Sequence, residues 1–139
     1  MTDVLNNLDE IIMNYVPPPN KQAYYEQVWS LVRQIPFARV ATYGQITKLI
    51  PQPEGVSTED YKASASRWVG LAMAACPDDV PWHRVINSQG KISHRPEAGK
   101  QRELLEKEGL LFSNGKLDLD ECQWRGPGQS DEPRQGRLF

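Results

Sequence analysis

The sequence predicts a mainly α-helical domain with small β-hairpins, arranged as a winged helix-turn-helix. Three observations carry that class. Two short amphipathic stretches, over residues 42–50 and from about residue 64 to before Pro77, flank the loop-forming run Pro51-Gln52-Pro53-Glu54-Gly55. A strand-like pattern follows, with Arg84-Val85-Ile86 and Lys91-Ile92-Ser93 around the four-residue turn Asn87-Ser88-Gln89-Gly90. A hairpin directly behind such a helical pair is a wing. With 139 residues, the chain makes one ordinary domain that can bury a core without metals or disulfides.

The elements follow in order. Val4, Leu5, Leu8, Ile11, Ile12 and Tyr15 recur at helical spacing, and Pro17-Pro18-Pro19 then stops any helix and stiffens the connection. Residues 1–19 read as an amphipathic arm and proline linker, which either packs on the domain or offers a partner surface. The domain proper is expected over 20–124. Its first helix spans residues 21–34, with Tyr24, Val28, Leu31, Val32 and Ile35 as one apolar stripe ended by Pro36. Thr42 and Gln45 fit a capping box that starts a short helix, with Ile46, Leu49 and Ile50 inward. The next helix, from about residue 64, puts Ala65, Val69, Ala72 and Met73 on one face and carries Arg67. Many helical pairs look like this one, so the pattern is weak taken alone.

Beyond the expected wing, residues 99–108 read as a helix capped by Gly109. Asn114-Gly115 favours a tight primed turn between Leu110-Leu111-Phe112 and Lys116-Leu117-Asp118-Leu119, a second hairpin. Residues 125–139 are rich in Gly, Pro, Gln and charge and read as a flexible tail.

Charge is unevenly distributed. The net formal charge is −2, but residues 62–102 hold seven basic and three acidic side chains, while both flanking segments are acidic. A basic middle suggests one anion-binding face, against the alternative of an ordinary solvated surface. No apolar run reaches the roughly 18 residues of a membrane span, and the N-terminus does not read as a signal peptide. A cytoplasmic protein is expected, nucleoid-associated if bacterial. Cys76 and Cys122 have neither disulfide-framework nor zinc-ligand spacing, so free thiols and no metal or other cofactor are expected.

The run Pro81-Trp82-His83-Arg84-Val85 is similar to the Pro-Cys-His-Arg-Val active-site motif of the O6-alkylguanine-DNA alkyltransferases. Thr42-Tyr43-Gly44-Gln45-Ile46 resembles that family's tyrosine-bearing first helix, and Ser66-Arg67-Trp68-Val69-Gly70-Leu71-Ala72-Met73 its recognition helix. Ile86-Asn87-Ser88 with Gly90, and later Glu108-Gly109, fall at the family's spacing. The resemblance covers residues 24–109, and more loosely up to Trp124. Tryptophan at the nucleophile position marks the alkyltransferase-like subfamily.

That resemblance implies the fold of the alkyltransferase C-terminal DNA-binding domain. It also implies a non-enzymatic sensor that docks in the minor groove of double-stranded DNA, flips out O6-alkylguanine and flags it for nucleotide excision repair proteins such as UvrA. Arg67 would fill the gap in the base stack, Tyr43 would crowd the neighbouring phosphate, and Gly70 would allow close approach to DNA or to a neighbouring helix. Trp82, His83, Val85 and Arg95 would form the lesion pocket. No catalytic residue is expected, because alkyl transfer needs a thiolate and an indole is a poor nucleophile. A monomer is expected. The alternatives are an active alkyltransferase working through Cys76 or Cys122, and a winged-helix transcription factor. One departure stands out: the enzymes have Asn-Pro where this chain has Cys76-Pro77, which leaves an Asn-centred hinge in doubt.

Overall fold

The computed structural model describes residues 16–129. Residues 1–15 of the expected arm and residues 130–139 of the expected tail lie outside the described residues. Among the described residues no helix is long and apolar enough to cross a membrane.

Helix α1 spans Lys21–Val32, and the Asn20 side chain caps it by accepting from the Ala23 N–H. Tyr24, Tyr25, Val28, Leu31 and Val32 are its buried face. The sequence extends this helix to residue 34. The last turns tighten instead, with Gln34 and Ile35 N–H groups donating three residues back to Leu31 and Val32.

Strand β1, Ala41–Thr42, leads directly into helix α2, Tyr43–Leu49. The capping box is present on both sides: Thr42 Oγ1 accepts from the Gln45 N–H, and the Gln45 side chain reaches back to the Thr42 N–H. Ile46 and Ile50 are buried, but Leu49, expected inward, is 40% exposed. Helix α3, Thr58–Ala74, begins well before the expected start. Ser57 caps it, and Glu59 and Asp60 sit in its first turn, where carboxylates favour the helix dipole.

Aromatic side chains fasten the three helices together. The rings of Tyr24 and Tyr61 lie 5.2 and 5.7 Å from that of Trp68. The Tyr61 hydroxyl contacts that of Tyr24 and reaches the carbonyls of Thr47 and Ile50. Burial pushes the Tyr24 phenol far up, so it stays neutral. The indole of Trp29 donates to the Ala72 carbonyl at 2.7 Å.

The expected wing differs from what forms. Residues Trp82–Arg84 make a single 3-10 turn, and strand β2, Val85–Ile86, pairs parallel with β1, Ala41 opposite Val85 and Thr42 opposite Ile86. The Asn87–Gly90 turn does close, since the Asn87 carboxamide oxygen accepts from the Gln89 and Lys91 N–H groups. Residues 91–93 are not paired as a strand. Gly90 instead hands its carbonyl to the Leu117 N–H at 2.9 Å. Its φ is +78°, and a Cβ there would meet the Leu117 carbonyl oxygen at 2.5 Å, so glycine alone permits the contact.

Helix α4, Ala98–Lys107, ends in the expected glycine cap: Gly109 N–H donates to Glu106 and Leu110 N–H to Leu105. The second expected hairpin reduces to its turn. Asn114 and Gly115 both take positive φ, and Ser113 bridges Lys116, but no strands extend from them. Leu117 is claimed by Gly90, and Asp118 already caps helix α5, Leu119–Cys122. Among the described residues the architecture is thus helical with one two-stranded parallel sheet, not a pair of hairpins.

The core has two parts. The larger joins α1, α2 and α3 through Val28, Val32, Ile46, Trp68 and Val69, with Val80 and Val85 from the Trp82 segment. The smaller holds Val40, Ile86, Leu105, Leu117 and Cys122 beneath α4.

Candidate nucleic-acid interface

Burial of Ala65, Trp68, Val69, Ala72 and Met73 turns the opposite face of α3 outward. Arg67, Ser66, Leu71 and Ala74 are exposed there, and Gly70 is partly so. A Cβ at Gly70 would meet nothing within 4 Å. Its missing side chain therefore does not serve contact with a neighbouring helix, which removes one of the two roles expected of it. Tyr43 is the first residue of α2 and packs, half-buried, against the larger core.

Trp82 stands at the end of a tightly wound segment. Val80 N–H donates to Pro77, Trp82 N–H to Val80 at 2.7 Å, and Arg84 N–H to Pro81. Asp79 on the same segment forms a two-pronged pair with Arg33 at the end of α1, at 2.8 and 3.2 Å. Arg33 holds the Asp79 carboxyl below its usual range.

Beside Trp82 lies a cleft of about 400 Å³, lined by Met73, Cys76, Pro77, Trp82, Arg95 and Glu97 among others. That volume falls in the range of small-molecule sites. The Arg95 guanidinium lies 5.7 Å from the Trp82 ring centroid, within cation–π distance. The structure thus brings Trp82 and Arg95 together as the sequence expects. Cys76 joins them, and burial pushes its thiol up, leaving it protonated and a weak nucleophile.

Two expected pocket residues are elsewhere. Val85 is 1% exposed, and its side chain belongs to the larger core. Pairing of β2 with β1 fixes that inward direction. His83 turns away from the cleft to Glu108, its Nε2 lying 2.6 Å from a carboxylate oxygen. Glu108 also accepts from Arg84 at 2.9–3.1 Å and from the Ala38 N–H at 2.8 Å. Burial raises the Glu108 carboxyl, but hydrogen bonds from Arg84, His83 and Ala38 outweigh it and hold it low. An ionised Glu108 only accepts, so His83 Nε2 carries the proton of their bond.

A further residue enters the site without having been expected. Gln101 on α4 is buried, with its amide between Arg95 and the backbone of the Trp82 turn. Its signal in the sequence is its place four residues before Leu105, on the inward stripe of α4.

Residues 23–110 match the family model described as the 6-O-methylguanine DNA methyltransferase DNA-binding domain. The chain is 38% identical over 112 residues to the alkyltransferase-like protein 1 of Schizosaccharomyces pombe, covering 73% of this chain and 94% of that protein. It is 34% identical over 108 residues to the DNA base-flipping protein of Escherichia coli, covering 75% and 76%. The crystal structure of the S. pombe protein with damaged DNA containing O6-carboxymethylguanine superposes with a TM-score of 0.60 and 37% identity, covering 75% of this chain and 96% of that one. The chain belongs to the family of the 6-O-methylguanine DNA methyltransferase DNA-binding domain, among its alkyltransferase-like members.

Proposed function

We propose that the protein binds duplex DNA across the exposed face of α3, turns O6-alkylguanine out of the stack and holds it in the Trp82–Arg95 cleft without accepting its alkyl group. The observation that carries this reading is Trp82 at the reacting position, under an arginine and beside an open cleft. An indole offers an apolar wall for a purine and its alkyl substituent. The nearby cation favours the electron-rich face of a guanine.

Arg67 lies among small residues, Ala63, Ser66, Gly70 and Ala74, so the α3 backbone can come close to a groove. A planar guanidinium can replace the extruded base by stacking. Flipping costs a few kcal/mol, and less where alkylation has weakened pairing, which adds selectivity. Contacts of this kind are mostly to the backbone, so binding is salt-sensitive and nearly independent of sequence. The relatives' names and the bound lesion in the S. pombe complex support the same reading. Hand-over of the marked lesion to nucleotide excision repair proteins completes the proposal.

Gel shifts with an O6-methylguanine duplex and its unmodified twin test it. Tighter binding of the lesion is expected, and equal affinity would sink the sensor reading.

Cys76 supports a second reading, since it lines the same cleft as Trp82. In that reading the thiol takes the alkyl group. Its protonated state argues against this, and Cys122 is buried in the smaller core. Intact-mass analysis after incubation with alkylated DNA decides between them: an alkyl adduct on either cysteine selects the transferase.

A further inference from the structure

We propose that Gln101 is the positioning residue that sets Arg95 over Trp82 and thereby tunes which base the cleft prefers; this rests on the lesion-binding reading above. Gln101 is 1% exposed, an unusual place for a neutral polar side chain. Its Nε2 donates to the carbonyls of His83 at 3.1 Å and Val85 at 2.9 Å. Its Oε1 accepts from Arg95 Nη2 at 3.0 Å. One amide therefore grips the turn that carries Trp82 with one end and Arg95 with the other.

Chemistry fixes the direction of that amide. The two backbone carbonyls can only accept, so the NH2 must face them. The guanidinium can only donate, so the oxygen must face Arg95. The reversed amide would set acceptor against acceptor and donor against donor. Glutamine is thus suited to this position in a way that lysine or a hydrocarbon is not.

Arg95 depends on such a holder. Its Nε is buried with no hydrogen-bond partner among the described residues. An unpaired buried donor disfavours that placement, and attraction to the indole face has little directionality to offset it. The Gln101 oxygen supplies a directional contact. It fixes the cation before any base arrives, which lowers the ordering cost of binding. Gln101 is buried on α4 and is not part of the exposed face of α3, so its effect falls on lesion preference and not on general duplex binding.

The test uses the full chain with arginine labelled in 15N, and follows the Arg95 Nε–H resonance alongside gel shifts on the O6-methylguanine and unmodified duplexes. In the native protein the buried Nε–H is expected to exchange slowly with solvent. Gln101→Met is expected to speed that exchange and to cut lesion preference about tenfold, as the loss of a charge-assisted hydrogen bond implies. Affinity for the unmodified duplex stays nearly unchanged. Gln101→Glu keeps an acceptor facing Arg95 but sets its second oxygen against the carbonyls of His83 and Val85, so it is expected to retain the slow exchange while losing part of the preference. Should the methionine variant not fold, Gln101→Asn, one methylene too short to span both partners, takes its place with the same expected losses. The proposal is overturned if the methionine or asparagine variant keeps the native Arg95 signal and preference, or if Gln101→Glu speeds the Arg95 exchange as much as they do. A native protein with no lesion preference, whose Arg95 signal still changes in the variants, overturns the binding reading and upholds the positioning role.

Discussion

Trp82 and His83 are chain neighbours on one 3-10 turn, yet their side chains enter unlike surroundings. His83 enters a braced network in which Glu108 collects hydrogen bonds from a histidine, an arginine and a backbone N–H. Trp82 enters a half-open cleft, where its partner is a guanidinium across the ring. The resemblance to the alkyltransferases implies that there the histidine and glutamate activate the cysteine. Here the same pair has no thiol to serve at position 82. Arg84 also donates to the Ile35 carbonyl, so the network ties the loop after α1 to the Trp82 turn and the end of α4. Groups that move a proton in a catalyst can remain as architecture once the nucleophile is gone, and the reacting position becomes free to serve recognition.

Substitutions should separate the two regions cleanly. The largest effect belongs to the network. Glu108→Ala strands the part-buried donors of Arg84 and His83 and is expected to lower unfolding stability by about 3 kcal/mol, read from urea denaturation. The same network sets a pH dependence. Because the folded Glu108 carboxyl is held below its usual range, its contribution is complete above that range and is lost as pH falls through it. The urea midpoint of the native protein should therefore drop in acid, and Glu108→Gln should flatten that slope. A native midpoint that rises in acid would break the assignment.

Arg67→Ala comes next and acts on the proposed DNA face. It is expected to weaken binding to lesion and unmodified duplexes alike, by about 2 kcal/mol. Trp82→Ala removes a stacking wall and is expected to cost about 1–2 kcal/mol, mainly on the lesion duplex. If Arg67→Ala cost only lesion preference, and Trp82→Ala cost general binding, their roles would be interchanged. The smallest effect is expected of Arg33→Ala. Its pair with Asp79 is exposed, so thermal melting should barely move.

The sequence made some of this legible through local chemistry. The Thr42–Gln45 box and the Gly109 cap depend on residues a few positions apart, and both form as read. The start of α3 was not legible from periodicity, because Ser57 to Asp60 precede the first inward side chain. Its signal was the cap itself, a serine followed by Glu59 and Asp60. The hairpins fail for another reason. Turn residues specify the bend but not the partner, and two-residue strands are chosen by distant backbone: β2 by β1, and Gly90 by Leu117. The same distance explains the site. Trp82, Arg67 and Arg95 stood out by motif, whereas the inward turn of Val85 and the bridging place of Gln101 depend on pairings far apart in the chain.

Position 82 is proposed to hold a damaged base without reacting with it. Native mass spectrometry of the protein mixed with equal amounts of O6-methylguanine and unmodified duplex tests both halves at once. A complex enriched in the lesion duplex is expected, with the protein mass unaltered and the methyl group still on the DNA. A methylated protein, or equal capture of the two duplexes, would contradict it.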